Sequence, residues 1–80
     1  MNRQEIEAAV MSVLTTVLRC EIRRESSRKD YHQWDSLKHI EVIFAIEDEL
    51  NIRFSEDILA RLDSVQSIVD SALSATHHEA

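Results

Sequence analysis

Asp35-Ser36-Leu37-Lys38-His39-Ile40-Glu41-Val42-Ile43-Phe44-Ala45-Ile46-Glu47-Asp48-Glu49-Leu50 is the stretch whose reading decides the fold. Leu37, Ile40, Ile43, Phe44, Ile46 and Leu50 recur at helical spacing and Asp35 is a favourable N-cap, so a helix is predicted from Ser36 to about Leu50. Projected at about 100° per residue, it has two apolar zones. Val42, Ile43, Ile46 and Leu50 form one side and are the core candidates. Leu37, Ile40 and Phe44 form a second stripe, interrupted by Glu47 and bordered by Glu41 and Asp48. A carboxylate resists burial without a partner, so the second stripe is expected near the surface. An apolar strip rimmed by acids suits docking to basic partners; the plainer alternative is that every apolar residue is core and the acids are a solvated face.

Working outward, Asn2 and Glu5 have capping-box spacing, and Ile6, Val10, Val13, Leu14, Val17 and Leu18 share one stripe, which predicts a first helix from about Arg3 to Leu18. Residues 19–35 show no sustained period. A connection that long in a small domain is tied down by its own side chains or is functional, and Ile22, Tyr31 and Trp34 are the expected anchors. The chain has no glycine or proline, which leaves the turn types of this loop unpredictable. Arg23, Arg24, Arg28 and Lys29 form a basic cluster that reads first as a solvated loop and second as a place to meet the phosphates of an incoming nucleotide. Beyond Leu50, Ser55 is expected to cap a short helix reaching about Arg61, with Ile58, Leu59 and Leu62 packed inward. Asp63 with Gln66 is a second cap signal, followed by the narrow stripe Val65, Ile68, Val69, Ala72 and Leu73. The tail from Thr76 to Ala80 is expected to fray. The expected fold is all-α: a small bundle of three longer helices and one short one, forming a single domain over residues 1–80.

Eighty residues bury only about 60 % of the surface that the unfolded chain exposes, so a deep enclosed active site is not expected. The net charge of −6 argues against binding nucleic acid or an anionic membrane, both of which call for clustered lysine and arginine. Cys20 is alone, which excludes an internal disulfide and points to a reducing cytoplasm. The first residues lack a basic n-region and no apolar run is long enough to span a bilayer, so neither a secretion signal nor a membrane span is expected.

Ser36 carries the chemistry of the central stretch. At a helix start its hydroxyl sits beside unpaired N–H groups and the positive end of the helix dipole, surroundings that suit a phosphate ester. His32, His39 and Asp35 lie close in sequence and invite a hydrolase reading. A triad, however, needs a serine–histidine–acid relay and an oxyanion hole, and an aspartate engaged in capping is poorly placed to orient a histidine. The adjacent His77 and His78 point in different directions on a helix and make a poor metal site.

Asp35-Ser36-Leu37, continued by Ile40-Glu41-Val42, Ala45 to Leu50, Ile52, Phe54 and Ser64 to Asp70, resembles the acyl carrier protein family with its peptidyl and aryl relatives. The likeness covers about half of the chain; the first helix agrees in position and pattern only. It implies a four-helix bundle of acyl-carrier type in which Ser36, with Asp35 beside it, is the attachment point of 4'-phosphopantetheine. A phosphopantetheinyl transferase would supply the arm from coenzyme A, and the arm's thiol would carry an acyl or aminoacyl group as a thioester. Such a protein carries and does not catalyse. Its partners would be the transferase and the acyl- or aminoacyl-loading and consuming enzymes, with basic surfaces that meet Leu37, Ile40, Glu41, Phe44, Glu47 and Asp48. Val42, Ile46, Leu50, Ile58, Leu62 and Ile68 are either lining for a sequestered chain or ordinary core. Trp34 stands where family members often have glycine, and Lys38-His39 and Arg53 stand where they often have acidic or small residues. These departures fit a specialised biosynthetic pathway at least as well as primary fatty-acid synthesis. A small chain starting at Met1 is expected to be a free-standing monomer, with excision from a multi-domain synthase as the alternative, and the lone Cys20 places that expectation in the cytoplasm. A helical adaptor that uses the same strip without modification is the alternative.

Overall fold

The computed structural model describes residues 2–76. The all-α bundle of acyl-carrier type is what forms: α1 spans Arg3–Leu18, α2 Ser36–Leu50 and α3 Val65–Thr76, with a short 3-10 helix at Glu56–Arg61 before α3. α1 packs against both other α-helices. Its inward stripe is Ile6, Val10, Leu14 and Leu18, while Val13 and Val17 flank the core half-buried. Val42, Ile43, Ile46 and Leu50 of α2 meet Val65, Ile68, Val69 and Ala72 of α3 in the same core. Burying each such aliphatic side chain contributes roughly 1.5–3 kcal/mol.

Local chemistry sets the helix ends. The Asn2–Glu5 capping box forms reciprocally, the Asn2 side chain accepting the Glu5 N–H at 2.8 Å and Glu5 accepting the Asn2 N–H at 3.0 Å. α1 and α2 both stop at a left-handed residue, Arg19 and Asn51, each at φ 57°. The cap of α3 differs from the expected Asp63–Gln66 pair. Ser64 Oγ accepts the Ser67 N–H at 3.1 Å and Ser67 Oγ accepts the Ser64 N–H at 3.0 Å. Gln66 acts across the fold, accepting from Arg3 Nη2 at 2.6 Å and donating to Glu7 Oε2 at 2.8 Å and to the Arg24 carbonyl at 3.1 Å. That amide, helped by the Arg24 guanidinium, holds the Glu7 carboxyl below its ordinary range. Ser55 precedes the short helix as expected but makes no side-chain bond to its backbone; its hydroxyl meets Asp57.

The connection from Arg19 to Asp35 is fastened from within. Ile22 and Trp34 are buried and Tyr31 half-buried, as anticipated. Tyr31 donates its hydroxyl proton to the Glu21 carbonyl at 3.0 Å, which leaves the buried Ser26 hydroxyl to donate to the tyrosine oxygen at 2.8 Å while accepting the Arg23 N–H at 2.8 Å. A single 3-10 turn at Arg28–Asp30, not foreseen in the periodicity, follows. Backbone bonds from Arg28 N–H to the Asp63 carbonyl, 2.6 Å, and from Val65 N–H to the Ser26 carbonyl, 3.0 Å, tie the loop to the start of α3. Side-chain hydroxyl and phenol groups thus do the work that glycine turns do elsewhere. His77, His78 and the tail beyond Thr76 lie outside the described residues.

Candidate functional site

Ser36 is the first residue of α2 and is exposed. Asp35 is its N-cap as expected, its Oδ1 accepting the Lys38 N–H at 2.9 Å while its carbonyl accepts the His39 N–H at 2.8 Å. Helix geometry then leaves the N–H groups of Ser36 and Leu37 without an intrahelical partner, at the positive end of the α2 dipole. Arg28 sits against this point. Its Nε donates to the Trp34 carbonyl at 3.0 Å and its Nη2 donates to Ser36 Oγ at 3.3 Å. Of the four basic loop residues, this is the one that the fold brings to the serine. The sequence signal was weak: a cation eight residues upstream in a loop without period.

His39 is on the same helix but turned inward, 7 % exposed. Indole N–H is only a donor, so the 3.0 Å contact from Trp34 Nε1 makes Nδ1 the acceptor; Nε2 then carries the proton and donates to the Leu59 carbonyl at 2.9 Å. Both ring nitrogens are engaged within the fold, and neither is offered to Ser36. The geometry thus takes His39 out of a serine–histidine relay. It also ties the first turn of α2 to the short 3-10 helix.

The docking candidates diverge. Leu37, Ile40 and Phe44 are 68 %, 50 % and 64 % exposed, as the acid-interrupted stripe implied. Glu41 is exposed and pairs with Lys38 Nζ at 3.3 Å, and Asp48 is exposed. Glu47 is half-buried, and its Oε2 accepts the Phe54 N–H at 2.8 Å, so this carboxylate holds the chain as it leaves α2. Beside it, Phe44, Glu47, Asp48, Asn51, Ile52 and Arg53 line an open depression of about 400 Å³ at the far end of the strip from Ser36. Val42, Ile46, Leu50, Leu62 and Ile68 are buried in the shared core, with Ile58 half-buried at its edge.

The fold and site together are an all-α bundle with a solvent-facing serine at a capped helix start and an exposed apolar strip running away from it. No family model matches the chain. The chain is similar to acyl carrier protein 3 of Ralstonia nicotianae, 42 % identical over 45 residues, an alignment that takes in 56 % of this chain and 51 % of that relative. The chain therefore spans about half the length of the curated relative it matches. This likeness supports an acyl-carrier-like family. Among the described residues, no helix is long and apolar enough to cross a membrane.

Proposed function

We propose that this chain carries acyl or aminoacyl intermediates as thioesters on a 4'-phosphopantetheine arm attached to Ser36. The observation that carries the reading is the exposed Ser36 hydroxyl at the capped start of α2, beside the exposed strip Leu37-Ile40-Phe44. In the loading reaction Ser36 Oγ forms a bond to the coenzyme A phosphorus that bears pantetheine. The bond from that phosphorus to the nucleotide oxygen breaks, adenosine 3',5'-bisphosphate leaves, and the serine proton passes to a base on the transferase. The implied partners are a phosphopantetheinyl transferase and the enzymes that load and consume the cargo, acting in a specialised pathway or in lipid synthesis. Asp35 positions the site by fixing the first turn, and Glu41 and Asp48 supply the acidic rim. Glu47 contributes to that rim from a position already committed to Phe54.

Incubation with coenzyme A and a promiscuous transferase, followed by intact mass, tests the reading. The native chain gains one phosphopantetheine and the folded Ser36→Ala variant gains none. An unmodified native chain, alongside a control carrier that is labelled, refutes it; modification of Ser36→Ala would place the arm elsewhere. Reversal of charge at Glu41 or Asp48 slows loading, and more so at low salt, since these are exposed contacts. The exposed strip favours one second reading, an unmodified helical adaptor, because hydrophobic docking does not need the hydroxyl. Partner binding and cellular function that survive Ser36→Ala would favour the adaptor.

A further inference from the structure

Arg28 is held in place by more than the serine that it touches. Its N–H donates to the Asp63 carbonyl at 2.6 Å and its carbonyl accepts the Tyr31 N–H at 3.2 Å, so its backbone is restrained on both sides. Nε donates to the carbonyl of Trp34, a residue only 2 % exposed and therefore itself fixed. With the backbone and Nε committed, the orientation of the planar guanidinium is set, and Nη2 falls 3.3 Å from Ser36 Oγ. Arg3, Arg24 and Lys38 have carboxylate partners, whereas among the described residues Arg28 forms no ion pair. A full positive charge is thus built against a neutral hydroxyl. The contact is long compared with the roughly 2.7–2.9 Å of a charge-assisted bond, as expected while the acceptor carries no charge.

We propose that Arg28 is a clamp for the phosphodiester on Ser36, gripping its non-bridging oxygens with the guanidinium fork and fixing the direction in which the arm leaves the protein. The inference rests on the carrier reading and deepens it. Loading leaves one negative charge on the diester, attached directly to the oxygen that Arg28 already touches. Two parallel N–H donors match the two non-bridging oxygens of such a group, a geometry that lysine cannot reproduce. Lys38, two positions after Ser36 on α2, has its Nζ paired with Glu41 at 3.3 Å. A fixed root matters for an arm with many rotatable bonds, since constraint at its base narrows the volume that the terminal thiol samples.

The test uses the native chain with Arg28→Lys and Arg28→Gln. Each is loaded from coenzyme A by a transferase, checked by intact mass, and compared before and after loading by phosphorus NMR and by the Nε–H resonance of Arg28. Loading is expected to move the Arg28 Nε–H resonance of the native chain. The phosphorus resonance of the loaded Gln variant is expected to differ from native, with Lys in between. Addition of salt is expected to shift the native phosphorus resonance towards the Gln value. A mass gain with an unmoved Arg28 resonance, or one phosphorus resonance common to all three chains, overturns the clamp and leaves the carrier reading standing. Absence of a mass gain in the native chain, with a control carrier labelled, removes both. If Arg28→Gln fails to fold, the Arg28 resonance of the native chain before and after loading decides alone.

Discussion

The two apolar faces of α2 are built from the same residue types and meet opposite fates. Val42, Ile43 and Ile46 are at most 2 % exposed, while Leu37, Ile40 and Phe44 are at least half exposed on the same helix. What separates them is the placing of polar groups. The inner face contains His39, whose two nitrogens are both satisfied by Trp34 and Leu59, so burial leaves nothing unpaired. The outer face is bordered by Glu41 and Asp48, which have no such buried partners and keep it in water. Apolar content alone therefore says little about which face is core, and the hydrogen-bonding prospects of its polar neighbours say much more.

The sharpest way to break this contrast is paired truncation. Ile46→Ala removes a fully buried side chain and is expected to destabilise by about 2–5 kcal/mol, read as a lower denaturant midpoint. Replacing His39 by leucine strands the buried Trp34 N–H and frees the Leu59 carbonyl; a loss of about 1–3 kcal/mol is expected, with faster hydrogen exchange in the short 3-10 helix. Stability equal to the native chain would show that the histidine bridge is not a structural tie. Glu47→Ala frees the Phe54 N–H and should lower stability by about 0.5–1.5 kcal/mol, while Glu41→Ala and Asp48→Ala leave the midpoint unchanged. Equal effects at all three acids would return Glu47 to the docking rim alone. Phe44→Ala is the smallest in stability, within about 0.5 kcal/mol, yet it should weaken partner binding more than Ile46→Ala does. A large stability loss at Phe44 would mean that the outer strip is covered.

Much of this was legible beforehand, and the parts that were not share a physical character. Helix positions follow from periodicity and from local caps such as Asn2–Glu5 and Asp35, where both partners lie within one turn. The contact from Glu47 to Phe54 crosses a chain reversal that no period announces. Gln66 had the spacing of a cap but bonds residues 42 to 63 positions away, while the Ser64–Ser67 pair took the capping role. Arg28 reaches Ser36 only because the loop folds around Trp34 and bonds to Asp63, and a glycine-free loop gives no turn signal from which that path could be drawn. Local chemistry is thus read from the chain itself; side-chain bonds that close a loop depend on where the rest of the fold brings their partners.

The glycine-free composition has a final consequence at the two helix ends. A left-handed conformation costs a residue with a Cβ about 1–2 kcal/mol, less for asparagine, so Arg19 holds a strained backbone where Asn51 is better suited. The chain therefore keeps an unused reserve of stability at Arg19, outside both faces of α2. Arg19→Gly should raise the melting temperature while the Ser36 hydroxyl and the outer strip stay as they are, giving a hardened scaffold on which more damaging changes at the site can be made and still studied in a folded protein.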